Sequence, residues 1–304
     1  MTQDTLLTGL RRDHVSLVAR YGLRFSLRTG GGLMTLLVAL IAGLSVGGVV
    51  VSPIEALMKS APELGHSEGE AAGTVDRIAR SHQVADVAKW VTGADETQIQ
   101  YLLRDQPALM SAILLILLMI VPFFSCLGGF NQTSGDIGSR GLRYLLLRTE
   151  RPNIFIGRFV GAAGYLAVAL AIDVVVLAVY IGVRFNVYGF GELALWSVQG
   201  YFAILLISLP YVALCAWMSG VLDSAFGSLA ICLLLTGFPI IFLKLLNSAS
   251  QGSVPWIEKL LPWGWKYDLL ASDPLTRGTA YLVLLGFTAL FLGLGLRSFG
   301  RRDL

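Results

Sequence analysis

Charge is what this sequence has least of. Only 14% of its 304 residues are Asp, Glu, Lys or Arg, against about a quarter in soluble domains. With 55% hydrophobic residues and a mean hydropathy of +0.70, that shortfall excludes an ordinary soluble enzyme core and predicts an integral membrane protein. Cysteine is scarce as well. Cys126, Cys215 and Cys232 lie in apolar runs without CxxC or Cys/His spacing. Neither a zinc site nor a disulfide framework is expected, and each reads as a small core residue. His14, His66 and His82 are scattered and form no metal constellation. The phosphate-binding pattern G-x-x-x-x-G-K-[ST] is missing: Gly30-Gly31-Gly32 runs into Leu33 and Met34, which supply no lysine. Any ATP chemistry must therefore come from another chain. "GLSVG", Gly43 to Gly47, formally matches G-x-S-x-G but sits in an apolar run without a strand–turn–helix context. No catalytic, cofactor or metal residue is assigned. The arginines flank apolar runs and do not alternate with stacking aromatics, so no nucleic-acid partner is expected.

What is present is hydrocarbon. A span needs about 20 mostly apolar residues, and six runs qualify: 33–51, 108–127, 159–183, 193–218, 225–246 and 279–296. The expected fold is all-α, with six transmembrane helices. The first run follows a long arginine-bearing lead and no small-residue cleavage site follows it, so it is expected to be a retained span and not a signal peptide. Residues 1–32 carry five arginines against two aspartates, and residues 128–158 carry five against Asp136 and Glu150. Residues 297–304 add Arg297, Arg301 and Arg302 against Asp303. The 52–107 loop has nine acids and five bases. The positive-inside rule then predicts an inner-membrane protein with both termini and the 128–158 loop cytoplasmic. The 52–107 and 247–278 segments are expected outside.

The 128–158 loop is the most informative segment. A short helix is predicted over 139–152, capped by Ser139 or Asp136, with Leu142, Leu145, Leu146 and Thr149 on one side. Arg140, Tyr144, Leu147 and Arg151 lie elsewhere around it. Pro152 ends this helix and is well placed in the first turn of the next. A rigid charged helix between two spans can dock on a partner and move both spans.

The stretch "RGLRYLLLRTERPNIFIGRFVGA", Arg140 to Ala162, resembles the second-to-third-span loop of type-2 ABC exporter permeases. The matching features are Asp136 and Gly138, the leucines 145–147, Arg151–Pro152, the apolar turn 154–156 and Gly157–Arg158. The family usually has serine–arginine or similar where this chain has Arg151–Pro152–Asn153. Six spans, an amphipathic lead over 1–32 and an outer hairpin like "VPWIEKLLPWGWKYDLLA" (254–271) agree, although the 52–107 loop is longer than in compact members. The resemblance implies a permease domain over 33–304 that forms the pathway as a homo- or heterodimer. It also implies a separate ABC ATP-binding subunit that binds ATP and Mg, so this chain needs no cofactor and is no enzyme. Arg140, Arg143, Tyr144, Arg148, Glu150 and Arg151 would then be the ATPase-coupling surface.

Other candidates stand beside it. Arg20, Arg24 and Arg28 share one face of the lead, with Val15, Val18 and Phe25 largely opposite. That pattern is expected of an interface helix against membrane lipids. Asp173 lies mid-span, where a carboxylate is costly unless paired, protonated or wetted, and is a pathway candidate. Gly157, Gly161 and Gly164, and separately Gly43 and Gly47, form small-residue faces for close helix approach. Pro122, Pro210 and Pro239 are candidate kinks. Lys244 is expected to snorkel, and Trp256, Trp263 and Trp265 to join an aromatic belt. The 52–107 loop reads as a helical cap over 55–64, 71–90 and 96–103, a candidate site for an extracytoplasmic partner. Two rival functions remain: a secondary carrier using Asp173, and a non-transporting scaffold docking through 52–107.

Overall fold

The computed structural model describes residues 11–28, 30–60, 96–185, 188–249 and 255–302. No strand occurs among them. Six helices are long and apolar enough to cross a membrane. In chain order the lead helix α1 is Arg12–Arg28 and the first span, α2, is Gly30–Ser60. A short α3, Glu96–Gln100, passes through a π turn, Tyr101–Asp105, into α4, Ala108–Gly129. Two small helices follow, α5 (Ser134–Gly138) and α6 (Leu142–Leu146). Then come the long α7, Arg151–Phe185, α8, Phe190–Val221, and α9, Ala225–Ala249. Three 3-10 turns, Pro255–Leu260, Pro262–Trp265 and Asp268–Leu270, lead to α10, Pro274–Gly300.

The helices are arranged around α4 and α8, the two most buried spans. These two approach closely because Gly200 leaves room for Leu114, whose methyls stand 2.5 and 2.6 Å from where a Cβ would be. The α8–α10 and α1–α7 pairings are the most extensive. The first and fifth spans, α2 and α9, lie at the periphery and present Leu33, Leu37, Ile41, Phe226, Phe238 and Phe242 outward. With hydrocarbon as the surrounding solvent this exposure carries no hydrophobic penalty, and close packing must come from small residues and hydrogen bonds. Pro122, Pro210 and Pro239 lie inside α4, α8 and α9.

The helix that holds the third apolar run starts at Arg151, as the place of Pro152 in its first turn predicts, and runs through 159–183 to Phe185. Several expectations are corrected. The small helix of the loop is Leu142–Leu146, far shorter than 139–152. Neither Ser139 nor Asp136 caps it: Gly141 precedes it without a side-chain cap, while Ser139 Oγ donates to the Asp136 carbonyl. Trp263 is buried in the protein and is no belt residue. Helix is found over 55–60 and over 96–100, as expected there, whereas the predicted helix 71–90 lies outside the described residues.

The opposite end of the bundle is closed by the hairpin. Gln98 donates to the Tyr267 carbonyl, and Tyr101 meets Trp196 edge-on at 6.3 Å. Asp273 caps α10, accepting from the Leu275 and Thr276 amides at 3.2 and 3.0 Å and from the Thr276 hydroxyl at 2.7 Å. Those bonds, the Thr276 hydroxyl first, hold its carboxyl below the usual range.

Candidate functional site at the arginine-bearing end

The loop after α4 is held by hydroxyls before it reaches its arginines. Ser219 Oγ, fully buried near the end of α8, accepts the Thr133 and Ser134 amides at 2.7 and 2.9 Å. These are N–H groups at the start of α5 that have no helical partner. Asn131 Oδ1 takes the Gly135 amide at 2.9 Å, Gln132 donates to the Val212 carbonyl at 3.1 Å, and Ser228 donates to the Phe130 carbonyl at 2.9 Å. Asp136 pairs with Arg158 on the second turn of α7. The loop is thus pinned to α7, α8 and α9.

Arg140 then turns the chain with φ +57°, a left-handed conformation that costs an L-residue about 1–2 kcal/mol. The turn re-aims the chain into α6. Leu142 on α6 is buried and Leu145 and Leu146 pack against the core, as their spacing predicts. The other side of this segment is bare: Arg143 and Arg148 are exposed, Tyr144 is 75% exposed and Leu147 83%. Arg140 and Glu150 are exposed too. Arg151 is not. It is half-buried, and its Nη1 donates to the carbonyls of Gly300 at 3.0 Å and Arg302 at 2.6 Å. The lead helix reaches the same place: His14 Nδ1 lies 3.0 Å from Thr149 Oγ1, and the Arg11 amide donates to Asn153 Oδ1 at 2.9 Å. Arg11, Arg148, Glu150, Leu296 and Gly300 help line a cleft of about 650 Å³ between α1, the loop and the end of α10.

The glycine face of α7 serves α1. Gly157 faces Val18, and Gly161 faces the Ala19 carbonyl. Val15 and Val18 pack inward, but Phe25 does not. It is exposed and stacked on Tyr21 at 6.1 Å, on the outward side with Arg20, Arg24 and Arg28. A helix packed lengthwise against α7 turns one stripe inward, and Phe25 lies on the outer face with the arginines.

Asp173 lies between α2, α4 and α7, only 8% exposed, against the bare flank of Gly43. It lines a cavity of about 70 Å³ shared with Thr35, Phe124 and Tyr165. No hydrogen-bond or ion-pair partner reaches it among the described residues. In the hairpin, Lys266 is 2% exposed, its ammonium 3.3 Å from the Trp263 ring centroid and 4.2 Å from that of Tyr267. Burial draws its pKa down to about 7. Lys244 is exposed, with Nζ 5.1 Å from the Trp263 centroid. The three cysteines converge into one buried cluster joining α4, α8 and α9, although sequence spacing gave no hint of it. No group of side chains suited to a metal ion occurs among the described residues.

Sequence reasoning misses Ser219 and Asp223, and reads Arg302 only as a charge that sets topology. Each is a common residue at a helix end, and only the fold gives it a partner.

The family model described as ABC-2 family transporter protein matches residues 27–304. No curated protein matches the chain.

Proposed function

Since the chain belongs to the ABC-2 family of transporters, we propose that it is the permease subunit of an ATP-driven exporter. It works as a dimer and is coupled to a separate ATP-binding subunit through the 142–150 segment. The observation that carries this reading is the two-sided build of that segment. Leu142 is anchored in the core, while Arg143, Tyr144, Leu147 and Arg148 project without intramolecular cover. Exposed arginine and tyrosine on a rigid mount are the side chains that anchor protein interfaces. The mount joins two spans directly, so force applied to it reaches both. The arginine excess at this end supports a cytoplasmic placement, where an ATPase resides. The bare flanks of α2 and α9 support a second permease subunit packing there, with lipid covering the rest. Arg20, Arg24 and Arg28 beside Tyr21 and Phe25 support an interface helix among lipid headgroups.

The test is charge reversal at Arg143 and Arg148 together. Co-purification of the ATP-binding subunit should fall at least about tenfold, the effect of removing roughly 1.4 kcal/mol of contact, while membrane insertion is kept. Undiminished co-purification would sink the coupling role.

Asp173 favours a second reading. A carboxylate without a partner beside a small intramembrane cavity suits a carrier that moves a proton or a cation. Gradient-driven uptake in liposomes lacking any ATPase, abolished by Asp173→Asn, would establish it. A scaffold docking through 52–107 rests largely on residues outside the described ones.

A further inference from the structure

The end of α10 leaves its last carbonyls without helical partners, as every helix does. Here they are not left to water. The Arg151 guanidinium, from the first residue of α7, takes the Gly300 and Arg302 carbonyls at 3.0 and 2.6 Å. A cation at a helix C-terminus is favoured by the aligned peptide dipoles, and its hydrogen bonds are charge-assisted. Arg302 in turn sends its own guanidinium to the Gly220 carbonyl at 2.9 Å, in the last turn of α8, and to the Asp223 carboxylate just beyond it. Three helix ends are therefore joined in series by two arginines.

The apolar layer beneath makes the junction stiff. Phe155, one turn into α7, and Phe299, at the end of α10, are each 1% exposed, with ring centroids 5.7 Å apart. Phe155 fills a slot opened by Gly295, where a Cβ would stand 2.4 Å from its Cζ. Gly220 opens the facing slot, with both rings about van der Waals distance from a Cβ there. No side chain on α8 or α10 keeps the rings apart at these points.

We propose that Arg151 and Arg302 form a latch through which displacement of the 142–150 segment is carried into the ends of α8 and α10, and not only into α4 and α7. This rests on the reading of that segment as the docking surface for the ATP-binding subunit. Arg151 is suited to the task by position. It is the first residue of α7 and follows directly on Glu150, which is exposed like Arg148. A partner seated against Arg148 and Glu150 would also touch Leu296 and Gly300 across the shared cleft. The push and the latched helix end thus lie within one surface.

A simple cap would stabilise α10 and do nothing else. The latch makes a further claim, about which segments respond together. Hydrogen exchange, followed by mass spectrometry, is measured on the complex purified with its ATP-binding subunit, with and without vanadate-trapped MgATP. In the wild type, peptides covering 142–150, 216–223 and 294–302 should all change exchange on trapping. In Arg151→Ala the 142–150 response should persist and that of 294–302 should be lost. Arg151→Lys, able to reach one carbonyl, should keep part of it. Arg302→Ala should leave 294–302 responsive and lose the response of 216–223. An unchanged 294–302 response in Arg151→Ala, or a wild type that responds only in 142–150, would overturn the latch. A wild type in which 142–150 ignores nucleotide would overturn the docking reading and the latch with it.

Discussion

A methyl group added to Gly157 would stand 2.7 Å from Cβ of Val18, closer than real Cβ contacts come. Four residues on, a Cβ added at Gly161 would meet the backbone of α1 itself, 3.0 Å from the Ala19 carbonyl oxygen. The lead helix is therefore docked through two glycines of the third span. Gly157→Ala should cost about 1–3 kcal/mol by overpacking, seen as a lower thermal midpoint and as faster proteolysis within 11–28. Adding Val18→Ala should restore part of the loss. An unchanged midpoint in Gly157→Ala would mean that α1 is not held there.

At the start of α5, Ser219 accepts both the Thr133 and the Ser134 amide. Ser219→Ala would leave the Thr133 and Ser134 amides without an acceptor in a buried site, at about 1–3 kcal/mol for each group left unsatisfied. The expected result is a clear drop in thermal midpoint and exchange-labile amides at 133–138. Wild-type protection of those amides would show that they have another acceptor.

Lys266 predicts a pH dependence with a definite sign. Its folded-state pKa, about 7, lies below the ordinary 10.5 because burial disfavours the ammonium. The nearby Glu258 and Asp268 carboxylates act the other way, and the Lys244 cation acts with burial. Between these values the unfolded chain holds a proton that the folded chain does not, so stability rises with pH from about 7 towards 10.5. Below about 7 both states hold it and the slope vanishes. The denaturation midpoint, followed by tryptophan fluorescence, should increase between pH 7.5 and 9. Lys266→Met should remove that increase, and the same slope in the variant would assign it elsewhere.

The cysteine cluster makes a chemical prediction. Cys126, Cys215 and Cys232 are each fully buried, and Cys126 Sγ lies 3.3 Å from Thr236 Oγ1. A polar maleimide should label none of them in the folded protein and all three after unfolding in detergent. Labelling of one thiol in the native state would show that the α4–α8–α9 contact opens.

Much of the molecule could be read along the chain. Six apolar runs became six helices, and Pro152 began the helix it was expected to begin, because both follow from local chemistry. The inward leucines of α6 were also readable, since helical spacing fixes which side chains share a face. The errors fell where one residue type serves two purposes. Helical spacing groups Phe25 with the valines because it is apolar, yet beside lipid an apolar side chain has no need to face protein. Arg151 reads like the exposed arginines because nothing in sequence separates a guanidinium that meets a partner from one that caps a distant carbonyl.

By itself the sequence determined the solvent of this protein, the number of its crossings and the uneven placement of its charge. Hydropathy and charge act residue by residue, so they survive without knowledge of the fold. Only the tertiary structure decided that Gly157 and Gly161 serve the lead helix and that three scattered cysteines meet. It alone joined Arg151 and Arg302 to the ends of helices 79 to 151 residues away in the chain. In a membrane nearly every span is apolar on all sides, so hydrophobic periodicity cannot say which faces touch. Shape and hydrogen bonding between distant segments make that choice, and neither is written locally.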